Sequence, residues 1–231
     1  MDASATNAVL HASADLTLDE LRLELAPAIA DAAVFDGWGK VALDAAADAH
    51  GVDPAVVALA FPGGAIDMIE AWIARIDADM ARALPAEMLA KLPIRERIRR
   101  LVGFRLEAAT PSKEALRRAL AIMAMPQNLR RTGRLGWSSA DKMWRLAGDT
   151  ATDYNHYTKR ALLAGIYAAT LAVFVDDTSE GHAETAAFLD RRIEGVMRFE
   201  KTKARFLGSG GGDETRFSFA RLAGRLRYPA R

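Results

Sequence analysis

Few side chains in this sequence are of the types that perform catalysis. The four histidines, His11, His50, His156 and His182, are scattered, and there is no cysteine. The lack of cysteine excludes a thiol nucleophile, a disulfide and a zinc site built on thiolates. The motifs H-E-x-x-H and G-x-S-x-G and a glycine-rich phosphate loop are also missing. We therefore predict no enzyme, no catalytic residue and no cofactor.

Asp153 and His156 lie three residues apart on a predicted helix, where they could share a metal ion. A di-iron helix bundle needs repeated glutamates and Glu-x-x-His pairs, and this one pair does not supply them. Asp153 also has a structural explanation, because it completes a capping box that begins at Thr150. We predict no metal site here.

Polar and aromatic side chains crowd the first two turns of the same predicted helix. They are Asn155, His156, Tyr157, Lys159 and Arg160. His156 and Arg160 are four residues apart and so share a helix face. The cluster is either a patch for a protein partner or the solvated start of a helix. For His156 both interpretations stay open, whereas Tyr157 and Arg160 favour the patch.

Methionines and large aromatic side chains are the candidates for an apolar ligand cavity. Flexible and aromatic side chains can line a site for a long apolar chain, and ligand sites often lie between helices. Each of them could instead belong to an ordinary core. The predicted lining residues are Met123, Met125, Trp137, Met143, Trp144, Leu163, Ile166, Tyr167, Phe174, Phe188 and Met197.

Helices must position these residues, because apolar side chains recur at intervals of three and four along the chain. Thr17 and Glu20 form a capping box that predicts the start of a helix reaching about Phe35. Short helices are predicted at residues 42–47 and 55–59, with a tight turn between them. A long helix followed by two short helices around a tight turn is the helix-turn-helix order.

The helix-turn-helix segment lacks the charge that DNA binding requires. No Lys or Arg occurs between Lys40 and Arg75, whereas five carboxylates do. The helix in the recognition position, residues 54–59, offers only Pro, Ala, Val and Leu. Phosphates are bound by Lys and Arg, and base edges are read by hydrogen-bonding side chains. We predict no nucleic-acid binding.

Charge is asymmetric along the chain, although the formal net charge is +1. Residues 1–90 hold 15 acidic and 4 basic side chains, net −11, and residues 91–135 hold 12 basic and 3 acidic, net +9. Such an asymmetry indicates how partners are attracted and oriented rather than which fold forms.

The body of the chain is predicted to consist of longer helices. The glycines at 133–136 predict a loop, followed by a short helix that ends near Gly148. The longest nearly apolar run, residues 161–175, is fifteen residues long, short of the ~20 needed to span a bilayer. We predict that it lies in a buried helix. Apolar stripes predict further helices over the segments 69–80, 94–102, 116–123, 153–175 and 183–206.

The last residues predict a tethered basic helix. A glycine-rich stretch at 208–213 is typical of a flexible linker. Beyond it, Phe219, Leu222 and Leu226 share one face, and arginines such as Arg225 surround it. A helix of this kind suits an anionic membrane surface. It could also fold back on the body as a lid or pack on a second subunit.

The start of the sequence bears on location. The first seventeen residues contain no Lys or Arg, so they match neither a secretory signal nor an arginine-rich transit peptide. We predict a bacterial cytoplasmic protein that lies peripherally on the inner membrane.

The string D-T-A-T-D-Y-N-H-Y-T-K-R-A at residues 149–161 closely resembles the signature of the ubiquinone biosynthesis family usually called the ninth Coq protein. V-A-L-A-F-P-G-G at 57–64, R-E-R-I at 95–98 and A-M-P-Q-N at 124–128 are also similar, so the resemblance covers about residues 18–207. One departure is His156, where eukaryotic members are expected to have Trp.

The resemblance implies a TetR-like fold, a homodimer and binding of lipids, including isoprenoid quinone intermediates. It also implies assistance to the di-iron hydroxylase that acts on demethoxyubiquinone, without catalysis by the chain itself. The predicted domains are then a flexible N-terminus (1–17), a helix-turn-helix-like head (18–64), a helical body for lipid binding and dimerisation (65–207), the linker (208–213) and the basic amphipathic helix (214–231). The alternative function is a TetR-type transcriptional regulator with a hydrophobic effector.

Overall fold

Apolar side chains spaced by three and four produce helices throughout the part of the chain that can be described. The structure, a computed structural model, describes residues 16–150 and 154–208, without the side chains of 154, 155, 197 and 199–208. No strand occurs in these ranges, and the predicted all-α class is confirmed. The helices are α1 (Leu18–Asp36), α2 (Lys40–His50), α3 (Pro54–Ala60), α4 (Ala65–Ala83), α5 (Ala86–Leu89), α6 (Ile94–Ala109), α7 (Lys113–Met123), α8 (Leu129–Leu146), α9 (Tyr154–Asp176) and α10 (Ala183–Gly208).

Some predicted features lie outside the described residues. They are the N-terminus up to residue 15, Asp153 with its predicted capping role, and the linker from residue 209. The terminal basic helix with Phe219, Leu222, Arg225 and Leu226 lies outside them as well.

Local signals set the ends of the head helices. The Glu20 N–H donates to the Thr17 hydroxyl at 3.3 Å, and the Thr17 N–H donates to the Glu20 carboxylate at 2.9 Å, so the predicted capping box is present. α2 ends at Gly51, whose φ of +63° is one that glycine adopts without strain. Asp53 then caps α3 by accepting from the Ala55 N–H at 2.8 Å. The resulting helix-turn-helix order is consistent with the predicted TetR-like fold.

The core forms around α1 and α4. α1 packs against α2, α3, α4 and α7, and α4 also contacts α6, α7 and α8. Leu25 and Ile29 of α1 are completely buried. The rings of Trp38 and Trp72 lie 5.5 Å apart, and the Trp38 indole N–H donates to the Ala115 carbonyl at 2.8 Å. These contacts join the head to the body through one continuous core.

The predicted loop at residues 133–136 is wrong, because these residues lie in the middle of the 18-residue helix α8. Each glycine costs about 1 kcal/mol of helix stability relative to alanine, and tertiary contacts offset this cost. Arg131, two residues before Gly133, forms ion pairs with Asp67 and Glu70 of α4, both at 2.5 Å. The short helix predicted to end near Gly148 is the end of this longer helix.

The prediction that α9 is a buried helix also needs correction. Its segment His156–Asp176 is long and apolar enough to cross a membrane by length and composition, yet only 28% of its most apolar window is buried. α3 and α4 taken together are also long and apolar enough to cross a membrane, but the chain bends by 81° between them. Core helices of soluble proteins pass this test too. Leu162 is 40% exposed, so α9 presents an apolar face that nothing in residues 16–150 and 154–193 covers.

The chain divides into two units, Met1–Ile193 and Glu194–Arg231. Helix α10 begins in the first unit, where Asp190 accepts from Arg99 of α6 at 2.6 Å. Within the second unit, Arg198 and Glu194 form an ion pair at 2.9 Å. The domain boundary at residues 207 and 208 stays a prediction.

Candidate ligand-binding site

An apolar cavity lies between α4, α6, α7, α8 and α9. Its volume is about 380 Å³, within the range of roughly 300–1,000 Å³ found for small-molecule sites. Leu129 and Gly133 line the cavity and are exposed, so they lie at its rim. The other large apolar side chains in its wall are Ile69, Trp72, Ile73, Ile76, Leu116, Leu120, Met123, Leu135, Trp137 and Leu171.

The two central glycines of α8 contribute to the cavity because they have no side chain. Gly133 and Gly136 both line it, and a Cβ atom at either position would meet no other atom within 4 Å. Larger side chains at these positions would therefore point into open space rather than into packed neighbours. The residues that made α8 look like a loop help to form the wall of a cavity.

The predicted lining residues are dispersed in the structure. Met123, Trp137 and Tyr167 line the cavity, and Tyr167 lies opposite Arg105. The remaining ones are buried in the core (Met143, Leu163, Phe174), half-buried (Trp144, Ile166, Phe188), exposed (Met125) or have an undescribed side chain (Met197).

Most cavity residues were missed because the cavity and the core use the same helical period. Ile69, Trp72, Ile73 and Ile76 form one apolar stripe of α4, which the sequence indicates only as a buried face. The sequence feature that could have indicated the cavity is the pair of glycines in α8. Glycine destabilises a helix, so its presence inside one usually has a packing or functional cause.

One wall of the cavity carries a buried cluster of charged and polar groups. Arg105 of α6 and Asp77 of α4 form an ion pair in which the two side chains are 2% and 3% exposed. The other terminal nitrogen of Arg105 donates to the Ser139 hydroxyl at 3.2 Å. Lys142, at the surface side, donates to Asp77 at 3.1 Å. Burial lowers the pKa of Lys142, and the neighbouring charge of Arg105 lowers it further.

Arg105 is the single charged residue among those that line the cavity in the described chain. Its guanidinium carbon lies 4.8 Å from the centre of the Tyr167 ring, at cation–π distance. The Nε–H group has no acceptor among the described residues and is buried. A buried donor without an acceptor costs about 1–3 kcal/mol. The side chain is therefore fixed by its terminal nitrogens and its aromatic neighbour, with one donor unused.

A second, more polar cleft lies on the other side of this cluster. It has a volume of about 340 Å³ and is lined by charged residues that include Arg22, Glu70, Asp77 and Lys142. It shares Ile73, Leu135 and Ser139 with the apolar cavity. The Asp77 cluster thus separates an apolar space from a polar one.

Arg160 does not lie on the surface, where the sequence analysis placed it. Its side chain is 2% exposed, and it donates to Asp141 of α8 at 2.5 Å and to Asp149 at 3.0 Å. It also donates to the His156 carbonyl at 3.1 Å. Burial alone would raise the pKa of Asp141, but hydrogen bonds and charges from Arg160 and Arg145 outweigh it, so this pKa is lowered. Arg160 fixes α9 against α8 and cannot face a partner.

Three aromatic rings lie beside this ion-pair cluster. The centre of the Trp137 ring in α8 lies 6.5 Å from that of His156 and 5.9 Å from that of Tyr157. The ring centres of His156 and Tyr157 are 5.1 Å apart. Tyr157 is 61% exposed, and Trp137 also lines the cavity. The rings thus reach from the cavity wall to the surface. We call Trp137, His156 and Tyr157 the aromatic surface.

Lys159 and Asn155 are the two remaining residues of the predicted patch. Lys159 forms an ion pair with Asp149 at 2.7 Å and lies over the Trp144 ring at 5.5 Å, with 40% of its side chain exposed. Its carbonyl accepts from the Trp144 indole N–H at 2.9 Å. The side chain of Asn155 is not described. In residues 16–150 and 154–208, no group of three or more metal-ligand side chains could hold a metal ion.

The head presents apolar side chains where a repressor would present its recognition helix. In α3, Val56 and Leu59 are 40% and 69% exposed. Lys40, at the start of α2, pairs with Asp44 at 2.7 Å rather than standing alone. This surface offers neither the cations that bind phosphate nor the polar groups that read bases.

Fold and cavity define an all-helical protein whose body holds an apolar space of ligand size, and comparison with known proteins identifies the family. The profile of the family described as COQ9 matches residues 129–200, which begin at α8, include all of α9 and extend into α10. The chain belongs to the COQ9 family.

Curated relatives agree with this assignment. The chain is 33% identical over 181 residues to "Ubiquinone biosynthesis protein COQ9, mitochondrial" of Rattus norvegicus, covering 75% of this chain and 58% of the relative. The corresponding human protein is 31% identical over 181 residues, covering 75% and 57%. A protein of Dictyostelium discoideum, "Probable ubiquinone biosynthesis protein coq9, mitochondrial", is 24% identical over 173 residues, covering 72% and 56%. The chain thus spans a little over half the length of these relatives.

Proposed function

We propose that this chain is a non-catalytic accessory protein of ubiquinone biosynthesis that binds an isoprenoid or quinone precursor, or a phospholipid tail, in the cavity. It presents this lipid to a membrane-associated di-iron hydroxylase that acts on demethoxyubiquinone. The names of the relatives, which are ubiquinone biosynthesis proteins, support the pathway. The family resemblance of residues 149–161 supports the lipid and the hydroxylase.

The observation that carries the proposal is that Trp137 belongs both to the cavity wall and to the aromatic surface. One side chain lines the apolar cavity and also contacts His156 and Tyr157 of the aromatic surface. A partner that docks on the aromatic surface would therefore touch the wall of the lipid site. Presentation needs such continuity, because an apolar ligand must pass to the enzyme without contacting water. Each Å² kept dry is worth ~25 cal/mol.

Membrane association and dimerisation belong to the same proposal. The exposed apolar face of α9 would be covered by a second copy of the chain, which fits the homodimer that the resemblance implies. The terminal basic helix would hold the protein on the membrane. The curated relatives carry the word mitochondrial in their names, and the location on a bacterial inner membrane stays a prediction.

The cavity can be tested by filling it without disturbing the fold. Gly136→Leu adds a side chain to the cavity wall at a helix position where a Cβ atom has free space around it. Replacing glycine by leucine also favours the helix by roughly 0.8–1 kcal/mol. We expect the variant to be at least as stable as the original chain and to lose most of its co-purified lipid, measured by mass spectrometry of organic extracts.

Gly103→Leu is the matched control, because Gly103 is a helical glycine with the same free space but outside the cavity wall. It should keep its lipid. Equal lipid content in both variants, or no lipid in the original chain, would contradict the proposal. Tight DNA binding with a steep salt dependence would instead favour the alternative of a regulator with a hydrophobic effector.

A further inference from the structure

We propose that Lys142 is a site of covalent acylation, at which the side-chain amine accepts an acyl group from a thioester. The acyl group would lie in the polar cleft of about 340 Å³, which Lys142 lines. This inference goes beyond the proposed function and does not depend on which lipid the apolar cavity binds.

The buried cluster around Asp77 holds one cation more than it has carboxylates. Asp77 is 3% exposed and pairs with two cations, Arg105 and Lys142. An arginine side chain does not lose its proton in proteins, so Lys142 is the group that can release the extra positive charge. Loss of this proton leaves Asp77 and Arg105 paired with each other, and no buried charge lacks a partner. The cluster thus favours the neutral amine, which is the form that attacks an acyl carbon.

The other charged groups of the polar cleft do not supply a second counter-ion. Glu70 accepts from Arg131 at 2.5 and 2.7 Å. Asp19 and Arg22 of α1 line the cleft with opposite charges, so together they add no net charge. In the described part of the chain, Lys142 therefore has one carboxylate partner, which it shares with another cation.

Neighbours on α8 do not change this balance. Asp141 is paired with Arg145 at 2.7 Å and with Arg160 at 2.5 Å. Burial lowers the pKa of Lys142, and the charge of Arg105 lowers this pKa further. The amine is therefore neutral in a larger fraction of molecules near neutral pH than the amine of an ordinary lysine.

The cleft offers access and an apolar wall to a short acyl group. Leu23, Ile73 and Leu135 line it together with the charged residues. The Lys142 side chain is 46% exposed, so an acyl donor can reach its amine from solvent. An acyl group on this amine could then pack against the apolar part of the wall.

The reaction is an acyl transfer that needs only the thioester. The neutral amine of Lys142 attacks the carbonyl carbon of the thioester, a C–N bond forms, and the C–S bond breaks. The nitrogen gives up one proton, which the departing thiolate takes, so the products are an amide and a free thiol. The product keeps the pair of Asp77 with Arg105 and replaces a charged amine by an uncharged amide.

Site-resolved mass spectrometry on the unaltered full chain tests the inference. The acyl donor is S-acetyl-N-acetylcysteamine, a small uncharged thioester, at neutral pH. Lys91 and Lys40 are exposed and serve as internal references. Accessibility alone predicts that both react faster than Lys142. We expect Lys142 to be acetylated at least about threefold faster than Lys91, because the larger neutral fraction outweighs the lower basicity of its amine. A rate at or below that of Lys91 would overturn the inference.

Two further measurements identify the cause. On the unaltered chain, the acetylation rate of Lys142 should level off at a lower pH than that of Lys91, because its amine loses its proton first. Arg105→Met makes Lys142 the main counter-ion of the buried Asp77, so its rate should fall to that of Lys91. Arg145→Met, which removes a cation that does not contact Asp77, should leave the rate unchanged.

Circular dichroism checks that both variants fold. An unchanged Lys142 rate in folded Arg105→Met would overturn the role of the shared carboxylate, and an equal fall in Arg145→Met would do the same. Should Arg105→Met not fold, the pH profiles of the unaltered chain decide. Identical profiles for Lys142 and Lys91 would overturn the inference.

Discussion

Two arginines, Arg105 and Arg160, are equally buried at 2% exposure, but their surroundings differ. Arg160 lies between the carboxylates of Asp141 and Asp149 and also reaches a backbone carbonyl. Arg105 shares the single carboxylate of Asp77 with Lys142 and keeps an Nε–H group without an acceptor among the described residues. Arg160 thus donates to two carboxylates and a carbonyl, whereas Arg105 donates to one carboxylate and one hydroxyl.

This difference teaches how to distinguish an arginine that joins two helices from one in the wall of a cavity. Burying a charge is tolerated when partners compensate it, and Arg160 pairs with two carboxylates. Arg105 borders a cavity. Burial alone would rank the two side chains together, whereas the count of acceptors and the neighbouring space separate them.

The largest expected effect comes from removing Arg160. Arg160→Met leaves the buried Asp149 and the half-buried Asp141 without the buried cation that pairs with both, and breaking a buried pair costs about 3–5 kcal/mol. We expect a loss near 3 kcal/mol in the free energy of unfolding, measured by urea denaturation, because Lys159 and Arg145 still compensate part of the charge.

Arg145→Met is the matched control for this change. Arg145 pairs with the same Asp141 at 2.7 Å but is 71% exposed, and exposed pairs contribute about 0–1 kcal/mol. A loss as large as that of Arg160→Met would mean that burial does not distinguish the two arginines, and the comparison would fail.

A smaller loss is expected at the cavity. Arg105→Met leaves Asp77 buried, but Lys142 remains beside it, and the removed side chain already carried one unsatisfied donor. We expect a loss of about 2 kcal/mol in the free energy of unfolding. Adding Asp77→Asn should recover part of this loss. If the double variant is less stable than Arg105→Met alone, the ion pair is not the main contribution of Arg105.

The fold could be predicted largely because its signals are local. The capping box at Thr17 and the turn between α2 and α3 depend on residues close together in the sequence, and both are present. Helix α8 was interrupted in the prediction because Gly133 and Gly136 are poor helix formers. Their helical state depends on packing against other helices, including the ion pairs of Arg131 with α4, which no local pattern contains.

Charge was misjudged for a related reason. From the sequence, the acidic first part and the basic middle of the chain indicate only how partners are attracted and oriented. In the structure, some of these charges pair with each other: Asp67 and Glu70 with Arg131, and Asp77 with Arg105. These pairs join residues 28 to 64 positions apart in the sequence, so only the fold brings them together. The asymmetry therefore contributes to packing as well as to the surface.

In the candidate site, the spacing of residues along a helix did not predict which side chains are buried. Arg160 was placed on a surface because it shares a helix face with His156. Asp141, which helps to bury it, belongs to α8 and lies 19 positions earlier. A buried arginine can be recognised from sequence only when the positions of its carboxylates in space are known.

The smallest expected effect is a pH dependence that separates the two arginines further. Arg160 helps to hold the pKa of Asp141 below its ordinary value. A carboxyl group whose pKa is lowered by folding stabilises the protein above its unfolded pKa of about 3.9 and loses this contribution as the pH falls through the folded value. The stability difference between the original chain and Arg160→Met should therefore narrow between about pH 4 and pH 2. Urea denaturation across this range measures it. A difference that stays constant would mean that Arg160 does not stabilise Asp141 in its charged form.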